Sequence, residues 1–272
     1  IKVRIWYNRK QEEKRMQKKY FFFDIDGTLT NKQTGELVAS AKKTIQKLQD
    51  NGHFVCIATG RAYYKTKEFA KEAGFHHIVS NGGGAITMND QLIENKPLDR
   101  QKAIALCQEA HQKGFGLLIS PNDSIDVIMN DELFIQQVGY RKEPTRYFFD
   151  SSLTYQDIQD YYKIYIAVDE KHEHELTLLD SIGHIRFMKE YLTYQHDAKD
   201  EGIFKMLEYV HGQAEDVVVF GDDYNDLIMF KPEWTSIAMG NACQELKDKA
   251  SFITKASYED GIEYACQYFG WI

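Results

Sequence analysis

At 272 residues with a net charge of −8, the chain has room for one large or two medium domains with substantial cores, and its acidic balance argues against nucleic acid as the main partner. No apolar run approaches membrane-spanning length and no signal-peptide core is present, so no membrane partner is expected and the protein reads as cytoplasmic. Proline is scarce, which argues against long disordered linkers, and Cys56, Cys107, Cys243 and Cys266 lack CxxC spacing and read as free thiols rather than disulfides or zinc ligands.

The first fifteen residues stand apart, with a net charge of +4 that leaves −12 for the remainder. Met16-Gln17-Lys18-Lys19 leads straight into the first apolar run, a natural start. Residues 11–15 read as a translated ribosome-binding element, so 1–15 is expected to be a non-native or misannotated extension. The competing reading is a genuine basic arm with a binding role.

Tyr20-Phe21-Phe22-Phe23 is an unbroken apolar run, the pattern of a buried parallel strand. It stops at Asp24, Asp26 follows two residues later, and Gly27 frees the backbone to turn. Ligands of open α/β sheets sit beyond the carboxyl ends of the strands, where both carboxylates are expected. Two close carboxylates repel each other unless a cation or a shared proton relieves them. The pair therefore asks for a divalent metal, with an aspartate left facing an electrophile.

Residues 40–51 are predicted to be helical, capped by Ser40, with Ile45 and Leu48 on the apolar face and Gly52 as the stop. Phe54 to Ala58 is a second buried strand, closed by Thr59-Gly60-Arg61. A helix to Gly74 and a short strand around Ile78-Val79-Ser80 lead to the turn Asn81-Gly82-Gly83-Gly84, whose glycines would let the backbone approach a ligand closely. From about Ala85 to His196 the pattern changes to strands such as 125–129 and 164–168 alternating with helices around 99–113 and 171–182, an α+β signature. Tyr140, Tyr147, Tyr155, Tyr161 and Tyr162 read as packing residues, and His172 and His174 as solvated surface rather than a metal site.

After Asp197-Ala198-Lys199-Asp200-Glu201-Gly202, a helix to His211 presents Ile203, Met206, Leu207 and Val210 on one face. Val217 to Phe220 is a third buried strand, closed by Gly221-Asp222-Asp223-Tyr224-Asn225-Asp226. A strand-like stretch at 236–242 and a helix after Gly261 finish the chain. Asp24, Thr59 and Asp222 thus close three separate strands, and oxygen-only ligands at such an edge favour Mg²⁺.

Asp24-Ile25-Asp26-Gly27-Thr28-Leu29 resembles the first motif, DxDGTL, of the haloacid dehalogenase-like hydrolases. Ala58-Thr59-Gly60-Arg61 is similar to their second motif in its ATGR form, and Gly221 to Asp226 resembles the fourth, GDGxND. Asp223 stands where the family usually has Gly, which raises the expectation of an unusual backbone there. The likeness runs from Met16 to the C-terminus and suggests the Cof-type phosphatase subgroup with a C2-type cap. It implies an α/β fold with a Rossmann-like parallel-sheet core at 16–84 and 197–272, interrupted by an inserted α+β cap domain at 85–196.

Residue by residue, the resemblance implies that Asp24 is a nucleophile forming an aspartyl-phosphate. Asp26 would protonate the leaving oxygen and then deprotonate water. Thr59, Gly60, Lys199 and Asn225 would bind the phosphoryl group, while Asp24, the Asp26 backbone carbonyl and Asp222 would hold Mg²⁺. Asp226, Arg61, Asn81 and Gly82 would support them. The commonest family pattern puts the lysine immediately before the helix-opening glycine, where this chain has Glu201. Lys199, in K-x-x-G spacing ahead of the helix, is the expected replacement. Lys205 points away from the apolar face and is expected to be solvated.

The activity implied is Mg-dependent hydrolysis of a small phosphate ester, a sugar phosphate or phosphorylated cofactor, with no obligate protein partner indicated. A phosphotransferase or phosphomutase could use the same intermediate. A non-catalytic phospholigand-binding protein would be expected to lack Asp24 or Asp26, and both are present.

Overall fold

The structure is a computed structural model that describes residues 17–272; the segment 1–15, expected to be an extension, lies outside the described residues. The chain forms two compact units. The first runs through Cys56 and takes in Ala73–Phe75 and Leu207–Ile272, and the second comprises Ile57–Glu72 and His76–Met206.

In chain order, strand β1 (Tyr20–Phe23) is followed by helix α1 (Ala39–Asp50), strand β2 (Phe54–Ala58), helix α2 (Tyr63–Ala73) and strands β3 (Ile78–Ser80), β4 (Ala85–Met88) and β5 (Gln91–Asn95). Next come helix α3 (Arg100–Gln112), strands β6 (Leu117–Ser120) and β7 (Asp126–Met129), and helix α4 (Leu133–Val138). Strands β8 (Arg146–Phe149), β9 (Lys163–Ile166), β10 (His184–Met188) and β11 (Tyr191–Tyr194) follow. The chain ends with α5 (Lys199–Val210), β12 (Val217–Gly221), β13 (Thr235–Ala238), α6 (Gln244–Lys249), β14 (Phe252–Ile253) and α7 (Gly261–Tyr268).

The first unit is built on a parallel sheet in which β1 pairs with β12, β12 with β13, and β13 with β14. Register runs from Tyr20 opposite Val217 to Phe23 opposite Phe220. Every residue of β1 and β12 is buried, as a strand covered on both faces requires. The phenylalanines fill that interior. Phe23 stacks on Phe220 at 4.8 Å between ring centroids, and Phe21 meets the Trp271 ring edge-on at 5.0 Å. Helix α1 buries Ala41, Thr44, Ile45 and Leu48 and packs against α7. The expected Ser40 cap is corrected. The helix starts at Ala39, Val38 occupies the capping position without a side-chain bond, and Ser40 lies inside the first turn.

In the second unit the end of β2 pairs in parallel with β3, and β3, β4 and β5 continue antiparallel. The unit also contains a six-stranded sheet in the order β10-β11-β9-β6-β7-β8, antiparallel except for β7 with β8. Asp99 caps α3 by accepting the Lys102 amide at 2.9 Å. The helix then lays Ala103, Leu106, Cys107 and Ala110 into a core with Ile119, Ile164, Ile166 and Leu192. Tyr155 and Tyr161 belong to that core, whereas Tyr140 is 72% exposed and makes a T-shaped contact with the Tyr147 ring.

The helix expected at 171–182 is absent; short turns occupy Glu173–Glu175 and Leu179–Ser181. The cause is Glu109, whose carboxylate takes the Thr177 amide at 2.7 Å and the Leu178 amide at 2.9 Å, so those donors are committed outside any helix. His172 and His174 are exposed, as expected. Among the described residues the four cysteines form no disulfide, and no helix is long and apolar enough to cross a membrane. The fold is α/β, a Rossmann-like parallel-sheet core with an inserted α+β cap.

Candidate active site

In the first unit, β1 ends at Asp24 and its parallel neighbour β12 ends just before Asp222, so the pairing alone brings the two carboxylates side by side. Asp226, in the turn Tyr224–Met229, completes the group. Oxygens of Asp24, Asp222 and Asp226 all lie within 4.8 Å of one another, and all three residues are buried. Asp26 is exposed and stands outside this cluster. Asn225 is partly buried in the same turn as Asp226.

The turn after β1 depends on Gly27. Its φ of 81° lies in the left-handed region, and an added Cβ would run into the Asp222 carboxylate. Asp226 fixes the other side, its Oδ2 accepting the amides of Asp222 at 2.9 Å and Asp223 at 3.1 Å. Asp223 does not have the unusual backbone its place in the motif raised. Its φ of −133° and ψ of 176° are ordinary extended values. It is the capping residue of the turn, accepting the Tyr224 amide at 2.9 Å, a position Asp favours.

Two residues that sequence reasoning passed over complete this group. Lys32 places Nζ 2.8 Å from Asp222 Oδ2 and 3.4 Å from Asp223 Oδ2. Asn241 donates to the Gly27 carbonyl at 2.9 Å and to Asp222 Oδ2 at 3.3 Å, while its own Oδ1 accepts the Ser257 amide at 2.8 Å. A Gly-Asn pair closing a buried strand was a usable signal for Asn241; Lys32 lies in an irregular loop and carried none.

Burial pushes the Asp222 carboxyl up to about 6; the Lys32 hydrogen bond opposes that shift and the Asp226 charge adds to it. For Lys32, burial lowers the pKa, but the hydrogen bond and charge of Asp222 outweigh it and the net shift is upward. The three carboxylates are buried together and offer only oxygen donors. Asp24, Asp222 and Asp226 could therefore hold a hard divalent cation.

The other expected residues lie in the second unit, where they are tied together through the backbone. Thr59 follows β2, is 1% exposed, and its hydroxyl accepts the Arg61 amide at 3.2 Å. Its carbonyl accepts the Gly82 amide at 3.0 Å, and the Gly82 carbonyl accepts the Ala198 amide at 2.8 Å. One glycine thus links the Thr59 strand end to the residue preceding Lys199. Lys199 is itself the first residue of α5, not ahead of the helix, and is 1% exposed. Gly82 has φ 61°, and a Cβ there would strike the His196 carbonyl. The close approach that this glycine permits is to the returning chain.

Asn81 donates to Asn95 Oδ1 at 2.8 Å and to Asp123 Oδ2 at 3.2 Å, and the Arg61 guanidinium lies 5.5 Å from the Phe69 ring centroid. Lys205, expected to be solvated, is partly buried and pairs with Glu94. The Gly60 carbonyl accepts a hydrogen bond from Lys163 Nζ at 3.3 Å, a lysine that the sequence did not single out.

Residues 21–265 match the family described as haloacid dehalogenase-like hydrolase. A Bacillus subtilis (strain 168) protein named "Putative phosphatase YkrA" is 30% identical over 257 residues, spanning 94% of this chain and 99% of that one. From the same organism, YwtE, named a 5-amino-6-(5-phospho-D-ribitylamino)uracil phosphatase, is 27% identical over 275 residues, spanning 89% of this chain and 94% of its own. A crystal structure of a hypothetical protein from Geobacillus kaustophilus HTA426 aligns with a TM-score of 0.77 at 28% identity, covering 94% of this chain and all of that one. The family match spans nearly the whole described chain and includes every motif residue placed above: this protein belongs to the haloacid dehalogenase-like hydrolases.

Proposed function

We propose that the protein is a magnesium-dependent phosphomonoesterase that hydrolyses a small phosphorylated metabolite through an aspartyl-phosphate on Asp24. The observation that carries the reading is the cluster of Asp24, Asp222 and Asp226, three buried carboxylates within 4.8 Å where β1 and β12 end. The phosphatase names borne by relatives along most of the chain support it.

In this reading Asp24 and Asp222 hold Mg²⁺ together with the Asp26 backbone carbonyl, and Asp226 keeps Asp222 in place through the two amide bonds it accepts. When bound, the ion neutralises phosphoryl charge. The Asp24 carboxylate attacks phosphorus while Asp26 gives a proton to the departing oxygen. Asp26 then takes a proton from the water that releases phosphate. Thr59, Gly60, Lys199 and Asn225 hold phosphoryl oxygens, work that consists of positioning and charge neutralisation. Arg61, Asn81 and Gly82 support them. The cap at 85–196, between core segments 16–84 and 197–272, sets substrate choice, and the enzyme works in the cytoplasm on a free metabolite.

The test is phosphate release from a panel of phosphomonoesters that includes sugar, flavin and pyridoxal phosphates, with EDTA, with restored Mg²⁺, and with and without a sugar acceptor. The expected result is metal-dependent release that needs no acceptor. Transfer to the acceptor without free phosphate would make the protein a phosphotransferase, and silence on every ester would overturn the reading.

A further inference from the structure

Lys163 on β9 is partly buried, and its ammonium makes two hydrogen bonds, to the Gly60 carbonyl at 3.3 Å and to Gln195 Oε1 at 2.7 Å. Both acceptors are neutral. Among the described residues no carboxylate forms an ion pair with it. An ammonium has three N–H donors, so one remains for a further partner. Burial, followed by the repulsion of Lys65, lowers its pKa to about 8 against the weaker opposing pull of Glu143 and Asp123, as expected for a desolvated cation with no carboxylate in contact.

The neighbours sharpen the imbalance. Glu143 is already divided between Lys65 Nζ at 2.5 Å and Arg141 Nη2 at 2.7 Å. Asp123, the other carboxylate acting on Lys163, is occupied by the side-chain amides of Asn81 and Asn95. Arg141 lies 4.0 Å from the Tyr165 ring centroid, and its buried Nε has no hydrogen-bond partner. Three cations therefore gather around two committed carboxylates. Positive charge outnumbers negative there, and an arriving anion would offset the excess.

We infer that Lys163, Lys65 and Arg141 form a subsite for a second anionic group, a carboxylate or phosphate carried on the leaving group of the substrate. The inference rests on the phosphatase reading, because Lys163 is bonded to Gly60, the neighbour of the proposed phosphoryl ligand Thr59. It narrows the substrate class to phosphate esters with two anionic ends.

The test is calorimetric titration with non-hydrolysable probes, which needs no turnover. Phosphonoacetate supplies a phosphonate and a carboxylate, methylenebisphosphonate supplies two phosphonates, and methylphosphonate supplies one anion only. Wild type should bind at least one two-anion probe roughly ten-fold or more tighter than methylphosphonate, the size expected of one charge-assisted hydrogen bond. K163M should erase most of that preference. The two-anion arm that responds identifies carboxylate or phosphate. Equal binding of all three probes by wild type, or a preference unchanged in K163M, overturns the subsite and leaves Lys163 a clamp on Gly60. Should K163M fail to fold, Lys65→Met carries the same test and should lower the preference in the same direction. Hydrolysis of p-nitrophenyl phosphate, measured alongside, reports on the phosphatase reading separately.

Discussion

Lys32 holds its ammonium 2.8 Å from Oδ2 of Asp222, a carboxylate with no exposed surface. That ammonium occupies an oxygen which a metal ion would claim, and two cations on one carboxylate repel each other. Lys32→Met should therefore tighten Mg²⁺ binding. The lysine side chain is 42% exposed, so screening keeps the effect to about 1 kcal/mol or less, a few-fold in Kd. Titration calorimetry with Mg²⁺ reads it directly, and an unchanged or weaker affinity would show that Lys32 does not compete.

In the proposed mechanism Asp24→Asn keeps the side-chain shape but would remove the nucleophile, and should abolish phosphate release while leaving the thermal midpoint close to that of wild type. On the same mechanism Asp26→Asn would remove proton transfer and should slow turnover by about 10²–10⁴. Steady-state hydrolysis of p-nitrophenyl phosphate separates the two, and near-normal Mg²⁺-dependent activity in Asp24→Asn would sink the mechanism.

The strand ends were legible because a buried parallel strand needs a continuous apolar run and a ligand site needs polar residues where the run stops. Tyr20 to Phe23 followed by Asp24, and Val217 to Phe220 followed by Asp222, satisfy both requirements within six residues of sequence. Contacts made across the fold were not legible. Glu109 meets Thr177 and Leu178 only once α3 is packed, and it takes the amides that a helix over 171–182 would have used. Lys32 reaches Asp222 across 190 residues from a loop without periodicity. Asp223 departs from its motif, yet the capping geometry it adopts is one that Asp readily takes.

Gly82 should resist substitution more than a glycine chosen for its φ alone. Gly82→Ala combines a left-handed backbone, about 1–2 kcal/mol, with a Cβ pressed on the His196 carbonyl, roughly 1–3 kcal/mol more. Gly35 has a similar positive φ, 73°, and open space around it, so Gly35→Ala should show the backbone cost alone. Denaturant unfolding of both variants gives the comparison. Equal losses would mean that the return segment yields to the methyl group and does not pin the turn.

Lys199 and Lys205 sit six residues apart on α5 and should behave differently. Lys199 is 1% exposed on the first residue of the helix, and Lys199→Ala should cripple turnover if it holds a phosphoryl oxygen. Lys205 pairs with Glu94, a partly exposed contact worth up to about 1 kcal/mol of stability, and Lys205→Ala should leave turnover near wild type. Single-mutant kinetics decide between them; the reverse pattern, or indifference at both, removes Lys199 from the site.

The pH dependence of anion preference follows from Lys163, whose pKa is pulled down to about 8, first by burial and then by Lys65. Lys65, Glu143, Arg141 and Asp123 are the charged groups acting on it. Below that pH the ammonium is charged and attracts a second anion; above it the amine is neutral and the attraction fades. The ratio of phosphonoacetate to methylphosphonate affinity should thus fall as pH rises through about 8, and the fall should move upward when bound anion holds the proton on. Stability without ligand runs the opposite way. From about 8 to 10.5 the unfolded lysine binds the proton that the folded one has lost, so this group's contribution to stability rises with pH over that window. K163M should flatten both curves, and a wild-type preference that stays constant between about pH 7 and pH 9.5 would show that Lys163 does not titrate against the bound anion.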